Sequence, residues 1–450
     1  MKICVICGKY KHYSFSIMIK TSFKQAWTMM KQNRLFTTIY VAGTGLSVAF
    51  TLILFIIYYV KFAPIYPEYN RNRTLVVNKM SAVNKENDNN YSCNSGVNAR
   101  IFDLLKDLPH LDKMAAASDI SDFLGVTVVI PETNEQYSPL VQLVNQDFWE
   151  VFTFRFVSGH PFTEADVAST LPKAILSESM AKRIFAQTDV AGRYISLDGK
   201  DVQVCGVVKD ASTATSVTMG EVYLPLYWGG LLSPEAHYNG LTGNIQLYLL
   251  SKDDDVEALR TEVQEVVKQH SLQDKYDNKM FGQPDTWWES YFRTSCAGEP
   301  DIASAIRGIL YMLLAFLFIP ALNLCGMISS RMDERMSELG VRKAYGATNR
   351  SIIHQVLTEN LLLTLVGGLL GLALAYTLVC MGGELVLSIF NEDMYFDRDY
   401  PMAIHLEMLI NLPLFLTVLG VCVLLNLISA LVPTIVALRH PIIYSIHSKR

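Results

Sequence analysis

The chain has 450 residues, of which half are hydrophobic and only 18% are charged, against about a quarter in an average soluble protein. Its mean hydropathy is +0.23, which excludes a disordered chain and argues against an ordinary cytosolic enzyme. Lys and Arg total 38, Asp and Glu 43, and the net charge is -5; without a basic, aromatic-interleaved patch, such a chain is not a nucleic-acid binder.

Residues 1–37 hold seven Lys/Arg and no acid, which marks a basic cytoplasmic N-terminus. Phe23, Trp27 and Met30 recur at helical spacing there, with Lys20, Lys24, Lys31 and Arg34 elsewhere. That pattern suits a helix lying in the inner interface, and it suits a plain basic topology signal equally well. Cys4 and Cys7 form a C-x-x-C, but a zinc site needs a second ligand pair and only His12 is close. Residues 35–60 then run without a charge. A bilayer core needs about 20 helical residues, so a first transmembrane helix is predicted over 38–60. The run is too long for a signal-peptide core and no small-residue cleavage motif follows, so it reads as an uncleaved anchor.

Residues 61–305 are soluble in character and read as an extracytoplasmic α+β domain, in two lobes. TLVVNKM from Thr74, FLGVTVVI from Phe123, LVQLVN from Leu140, EVYLPLY and IQLYLL read as strands. NARIFDLLKDL from Asn98 has the helical period. KAILSESMAKRIFAQ from Lys173 passes from strand to helix with Ser177 as N-cap. Asp198-Gly199 joins two alternating strands from Arg193 as a hairpin. DDDVEALRTEVQEVVKQH from Asp253 puts Val256, Leu259, Val263, Val266 and Val267 on one helix face. No phosphate loop, nucleophile elbow or H-E-x-x-H occurs, and His110, His160, His237 and His270 read as isolated surface-loop residues. Cys93, Cys205 and Cys296 face an oxidising side. Cys93 with Cys296 is the favoured disulfide because Cys205 lies inside a strand; three free thiols is the equal alternative, given the odd count.

Three further uncharged runs follow, at 308–330, 360–383 and 408–438. They predict transmembrane helices over 306–330, 352–383 and 408–438. The loop of 331–351 is basic, with five Lys/Arg in residues 331–350, whereas 384–407 holds six acids and only Arg398. Residues 439–450 carry Arg439, Lys449 and Arg450. The positive-inside rule then places both termini and the 331–351 loop in the cytoplasm, and 61–305 and 384–407 outside. The spans show no central ionisable residue of the kind that marks an ion path, and Glu359 reads as interfacial at a span's edge. GGLLGLA, with Gly367, Gly368 and Gly371, supplies small residues for close helix packing and for a dimer face.

The most specific segment is SSRMDERMSELGVRKAYGATNRSIIHQVLTENLLLTLVGGLLG, from Ser329. Met332, Met336 and Leu339 form an apolar stripe, and Gly340 and Gly346 bracket Val341–Tyr345. A short amphipathic helix between two spans is built to be gripped from outside the membrane. The segment resembles the R-x-x-E-x-G-V-R-K-A-x-G-A signature of MacB/FtsX-type ABC transporter permeases, through Arg335, Glu338, Gly340, Val341, Arg342, Lys343, Ala344, Gly346 and Ala347. The tail PTIVALRHP, with Pro433, Ala437, Arg439 and Pro441, resembles the end of the family's last span. The outer sequence is similar to the family's periplasmic core domain through Phe148, Phe152, Gly159, Phe162, Ser177, Glu178, Ala181, Phe185, Gly192, Gly206, Val207, Val208 and Asp210. The likeness begins after residue 17 and lacks the ATPase domain that MacB carries at its N-terminus.

The resemblance implies a non-enzymatic, four-span permease of the bacterial inner membrane, with no cofactor of its own, since ATP is bound by a partner ATPase. A cytoplasmic ATPase subunit pushes on the coupling loop, and a homo- or heterodimer of permeases transmits the push outward by mechanotransmission. Export of a peptide, drug or lipophilic molecule follows, with a periplasmic adaptor and an outer-membrane channel as further partners. The alternative is an FtsX-like regulator of a periplasmic cell-wall hydrolase or a lipoprotein-sorting permease. A membrane-tethered sensor without an ATPase is disfavoured by the coupling loop.

Overall fold

The computed structural model describes residues 34–121, 126–130, 135–168, 172–212, 215–230, 232–233, 238–253, 255–334, 336–388 and 412–439. The basic N-terminus with its C-x-x-C, Arg335, His237, residues 389–407 of the acidic loop and the tail from residue 440 lie outside the described residues. The described residues divide into two compact units, one comprising Tyr59–Ala305, the other those up to Tyr58 and those from Ile306.

The chain enters through α1 (Arg34–Phe62). The outer unit continues with β1 (Thr74–Val77), β2 (Met80–Asn84), β3 (Asn87–Asn94), α2 (Arg100–Leu105), β4 (Leu111–Asp119), β5 (Val128–Val129), β6 (Gln136–Tyr137) and β7 (Val141–Val144). Next come α3 (Phe148–Val151), β8 (Phe156–Gly159), α4 (Glu164–Ala168), β9 (Lys173–Ser177), α5 (Glu178–Phe185), β10 (Tyr194–Leu197), β11 (Lys200–Val208) and β12 (Val222–Pro225). The unit closes with β13 (Gln246–Ser251), α6 (Val256–Gln273), β14 (Tyr276–Lys279), β15 (Asp285–Thr286) and α7 (Trp287–Tyr291).

The domain expected as two lobes is built on one continuous 12-stranded sheet, ordered β15-β1-β13-β4-β7-β12-β9-β11-β10-β5-β6 with β8 also paired to β11. A separate three-stranded sheet runs β14-β2-β3. Pairing is mostly antiparallel, with parallel pairs at β9–β11 and β7–β12. Local chemistry explains several elements. The Ser177 hydroxyl accepts from the Met180 amide at 3.2 Å, and Asp210 accepts from the Ser179 amide at 2.9 Å, so two oxygens cap the start of α5. Asp255 caps α6 by accepting from the Ala258 amide at 3.0 Å. Asp198 and Gly199 take φ of +49° and +74°, the two positive values that a tight hairpin between β10 and β11 requires. Leu259, Val263 and Val267 of α6 are buried in the domain core. An aromatic cluster around α3 fills the middle of that core, with Trp149 set edge-on to Tyr223 at 5.3 Å and Phe148 to Phe152 at 4.8 Å.

The other unit holds α8 (Ile302–Glu334), α9 (Met336–Ala344), α10 (Asn349–Ser388) and α11 (Leu412–Arg439), with most of α1. Among the described residues, three segments are long and apolar enough to cross a membrane: Thr37–Phe62, Asn349–Met381 and Phe415–Val436. The remaining expected span falls on α8, a continuous 33-residue helix whose described apolar stretch, Ile302–Phe316, is shorter than a span. Tyr40, Val41, Ile328, Met332, Val356, Leu363 and Ala430 form a buried cluster among these helices.

Candidate functional site

The expected coupling segment folds as α9, nine residues between α8 and α10. Its end is a Schellman closure: the Ala347 amide donates to the Arg342 carbonyl and the Gly346 amide to the Lys343 carbonyl, each at 3.0 Å. Gly346 sits at φ +92° with open space where a Cβ would stand, so its backbone conformation, rather than crowding, demands glycine. The Thr348 hydroxyl accepts from the Ser351 amide at 3.3 Å and opens α10. Two residues, Gly346 and Ala347, thus turn the chain between a capped helix end and a capped helix start. Gly340 is buried.

The basic residues of the segment face the bundle. Arg342 donates to Glu338 at 2.6 Å and to Gln355 at 2.6 Å. Lys343 donates to the Leu438 carbonyl at 2.8 Å, near the end of α11, where a cation also meets the negative end of the helix dipole. Two of these contacts, to Gln355 of α10 and to Leu438 of α11, hold α9 to the helices beside it. The outward face is apolar: Val341 is 49% and Tyr345 90% exposed, four residues apart on one helix face. Tyr345 occupies the variable position of the motif, and its place four residues after Val341 is the sequence signal for this pairing.

The glycines of α10 meet α1 and α11. A Cβ on Gly371 would stand 2.5 Å from the Gly45 carbonyl oxygen and 2.9 Å from Val48; one on Gly367 would stand 2.9 Å from Thr44. One on Gly368 would meet only the Leu419 side chain. Gly367 and Gly371 permit a close approach of α1 to α10, in which a Cβ on Gly45 would stand 3.2 Å from the Gly367 carbonyl oxygen. Next to it runs a polar seam. Tyr40 and Thr364 hydroxyls lie 3.4 Å apart, and Asn426 donates to Thr364 at 3.3 Å. Glu359, at the edge of an uncharged run, is 4% exposed and packed among its neighbours in α10.

In the outer unit, two buried ion pairs clamp the chain near α1 and ahead of α8. Arg71 donates to Glu68 at 2.8 Å, and to the carbonyls of Val60 and Ala63 at 2.7 and 2.6 Å. Glu68 also accepts from Thr218 at 2.8 Å. Arg293 is held bidentately by Asp285 and donates to the carbonyls of Phe281 and Gly298 at 2.9 and 2.8 Å. Cys93 of β3 and Cys296 are joined by a disulfide with Cα atoms 5.9 Å apart. Cys205 is a free, buried thiol that burial pushes up to about 12, far from nucleophilic range at neutral pH. His110 meets Glu262 at 2.6 Å, a hydrogen bond that raises its pKa. His270 belongs to α6 rather than a loop and stands 3.7 Å from Asp274. Among the described residues no cluster of three His, Cys, Asp or Glu is placed to hold a metal ion.

Two family models match the chain: the MacB-like periplasmic core domain over residues 37–266 and the FtsX-like permease C-terminal over 310–442. The chain belongs to the MacB/FtsX-type ABC transporter permeases. It is 26% identical to the ABC transporter permease YknZ of Bacillus subtilis over 54% of this chain and 57% of YknZ. It is 27% identical to the pyoverdine export ATP-binding/permease protein PvdT of Pseudomonas aeruginosa over 58% of this chain and 38% of PvdT. With the macrolide export ATP-binding/permease protein MacB of Sodalis glossinidius it shares 26% identity over 59% of this chain and 39% of that one. The matches thus span between 38% and 57% of these relatives. The periplasmic region of MacB from Actinobacillus actinomycetemcomitans aligns to 49% of this chain and 95% of its own, at 18% identity and a TM-score of 0.33.

Proposed function

We propose that this permease converts ATP hydrolysis by a cytoplasmic ABC ATPase subunit into movement of its outer domain, and that α9 is where the ATPase grips. The observation that carries the reading is the split of α9 into two faces. Arg342 and Lys343 bind the helices beside it, while Val341 and Tyr345 are left exposed. A rigidly held helix with an exposed aromatic anchor is the arrangement of an interaction hot spot. In this reading both termini and α9 are cytoplasmic, and Tyr59–Ala305 lies in the periplasm of a bacterial inner membrane, as the basic and acidic loops argue. The permease works as a dimer and transmits the push mechanically, without a substrate tunnel across the bilayer. The likeness to PvdT and MacB, a pyoverdine export and a macrolide export protein, favours export of a peptide, drug or lipophilic substrate, with a periplasmic adaptor and outer-membrane channel completing the route.

The test is a pull-down of the ATPase with Val341→Ser and Tyr345→Ser variants. Burying one such side chain contributes about 1.5–3 kcal/mol, so each single variant should weaken capture by tenfold or more. Glu338→Ala removes only an exposed intrahelical pair, worth about 0.3–0.5 kcal/mol, and should bind nearly as wild type. Wild-type capture by the Val341/Tyr345 double variant would refute the docking reading.

A further inference from the structure

Two adjacent tryptophans of α7 have opposite fates. Trp287 packs inward, 6.4 Å from Phe152 and 5.9 Å from Tyr248, with the Arg71 guanidinium 5.2 Å over its ring. Trp288 and Tyr291 face outward, 39% and 43% exposed. Half-buried Phe292 joins them, its ring 6.3 Å from Trp288 and 5.5 Å from Tyr291. This outward aromatic face meets the last turn of α1. Phe62 lies edge-on to Tyr291 at 5.7 Å and 5.9 Å from Phe292, and the Lys61 ammonium stands 4.1 Å above the Tyr291 ring.

Thr37–Phe62 is long and apolar enough to cross a membrane, and its uncharged run ends at Lys61. Lys61 and Phe62 therefore stand where hydrocarbon gives way to headgroups. A ring in van der Waals contact with Phe62 is held at that same depth. Tryptophan and tyrosine are favoured there because each offers an apolar ring and a polar tip, and a lysine beside them reaches lipid phosphate. We propose that Trp288, Tyr291 and Phe292 form a foot by which the extracytoplasmic domain sits in the headgroup layer of the outer leaflet. The ligand is the lipid interface itself. The inference rests on α1 spanning the membrane, and the experiment separates the two.

The experiment places the photoreactive residue p-benzoylphenylalanine at three positions, singly, in the full chain in native membranes: Trp288, Phe50 and Tyr194. Phe50 is 49% exposed on α1 and reports the span; Tyr194 is 60% exposed on β10. In the strand order β10 stands eight places from β15, the strand that leads into α7, or about 40 Å at a strand spacing of about 4.8 Å. After irradiation, lipid and protein adducts are separated by mass spectrometry. The foot predicts lipid adducts at 50 and at 288, each at least about tenfold above the level at 194. Lipid adducts at 50, with none above the 194 level at 288, would overturn the foot and leave the span intact. Adducts at 288 to a second copy or to another protein in place of lipid would overturn it too. No lipid adduct at 50 would remove the span and the foot together.

Discussion

Replacing Arg71 by alanine tests how the outer domain grips the chain that leaves α1. The side chains of Arg71 and Glu68 are 2% and 1% exposed. Arg71→Ala strands the Glu68 carboxylate, leaving it the Thr218 hydroxyl, and takes the side-chain donor from the carbonyls of Val60 and Ala63. Removing one partner of a buried pair costs about 3–5 kcal/mol, because the other charge stays desolvated. For a domain of this size each kcal/mol moves the melting temperature by about 2–4 °C. The variant should therefore melt roughly 6–20 °C below wild type in detergent, followed by intrinsic fluorescence, which reports Trp287 directly beneath Arg71. The double variant Glu68→Leu/Arg71→Met buries no charge and should recover the part of that loss that comes from the stranded carboxylate. The remaining deficit, about 1–3 kcal/mol for each carbonyl left without a partner, measures the capping of α1. A shift below about 2 °C for Arg71→Ala, or a double variant no better than the single, would refute this account of the clamp.

Gly371→Ala should destabilise the helical unit by about 1–3 kcal/mol, because its Cβ meets the backbone oxygen of Gly45 at 2.5 Å; Gly368→Ala meets only the Leu419 tip and should be neutral, and equal detergent thermostability of the two variants would contradict the packing. Cys93→Ser should cost about 2–4 kcal/mol, since the crosslink spans a separation of 203 residues, and reductant should bring wild type to the same melting temperature but leave the variant unmoved. Burial raises the Asp166 pKa, but hydrogen bonds from Lys173 and Thr163 outweigh it and hold the carboxyl at about 2. A depressed carboxylate stabilises fully above its unfolded value of about 3.9 and loses that contribution as pH falls toward 2. Wild type should thus lose stability between about pH 4 and pH 2, and Asp166→Asn should flatten that part of the melting curve; an unchanged slope would refute the pairing.

What the sequence determined is local or one-dimensional. Uncharged runs longer than a bilayer's thickness show in composition, because no packing partner is needed to make a charge costly in hydrocarbon. The Ser177 cap, the Asp198-Gly199 hairpin and the apolar face of α6 are legible for the same reason: their contacts close within a few residues. The α9 motif with its glycines is likewise local, although the outward set of Tyr345 beside the inward set of Arg342 and Lys343 is not.

Tertiary contacts decided the rest. LDKMAAASD gives no strand signal, yet β4 lies between β13 and β7 with Ala115 and Ala116 fully buried; a strand covered on both sides takes its identity from its neighbours, not from its own propensity. The polar strands β14, β2 and β3 form a sheet without alternating hydrophobicity, pinned in part by the Cys93–Cys296 link. Glu359 is buried by its tertiary neighbours, which its place at the edge of an uncharged run does not reveal. Lys343 finds the Leu438 carbonyl, and Gly371 finds Gly45, across 95 and more residues of chain. Contacts of that range leave no trace in a window of sequence, because the space a glycine must vacate is set by the helix that comes to fill it.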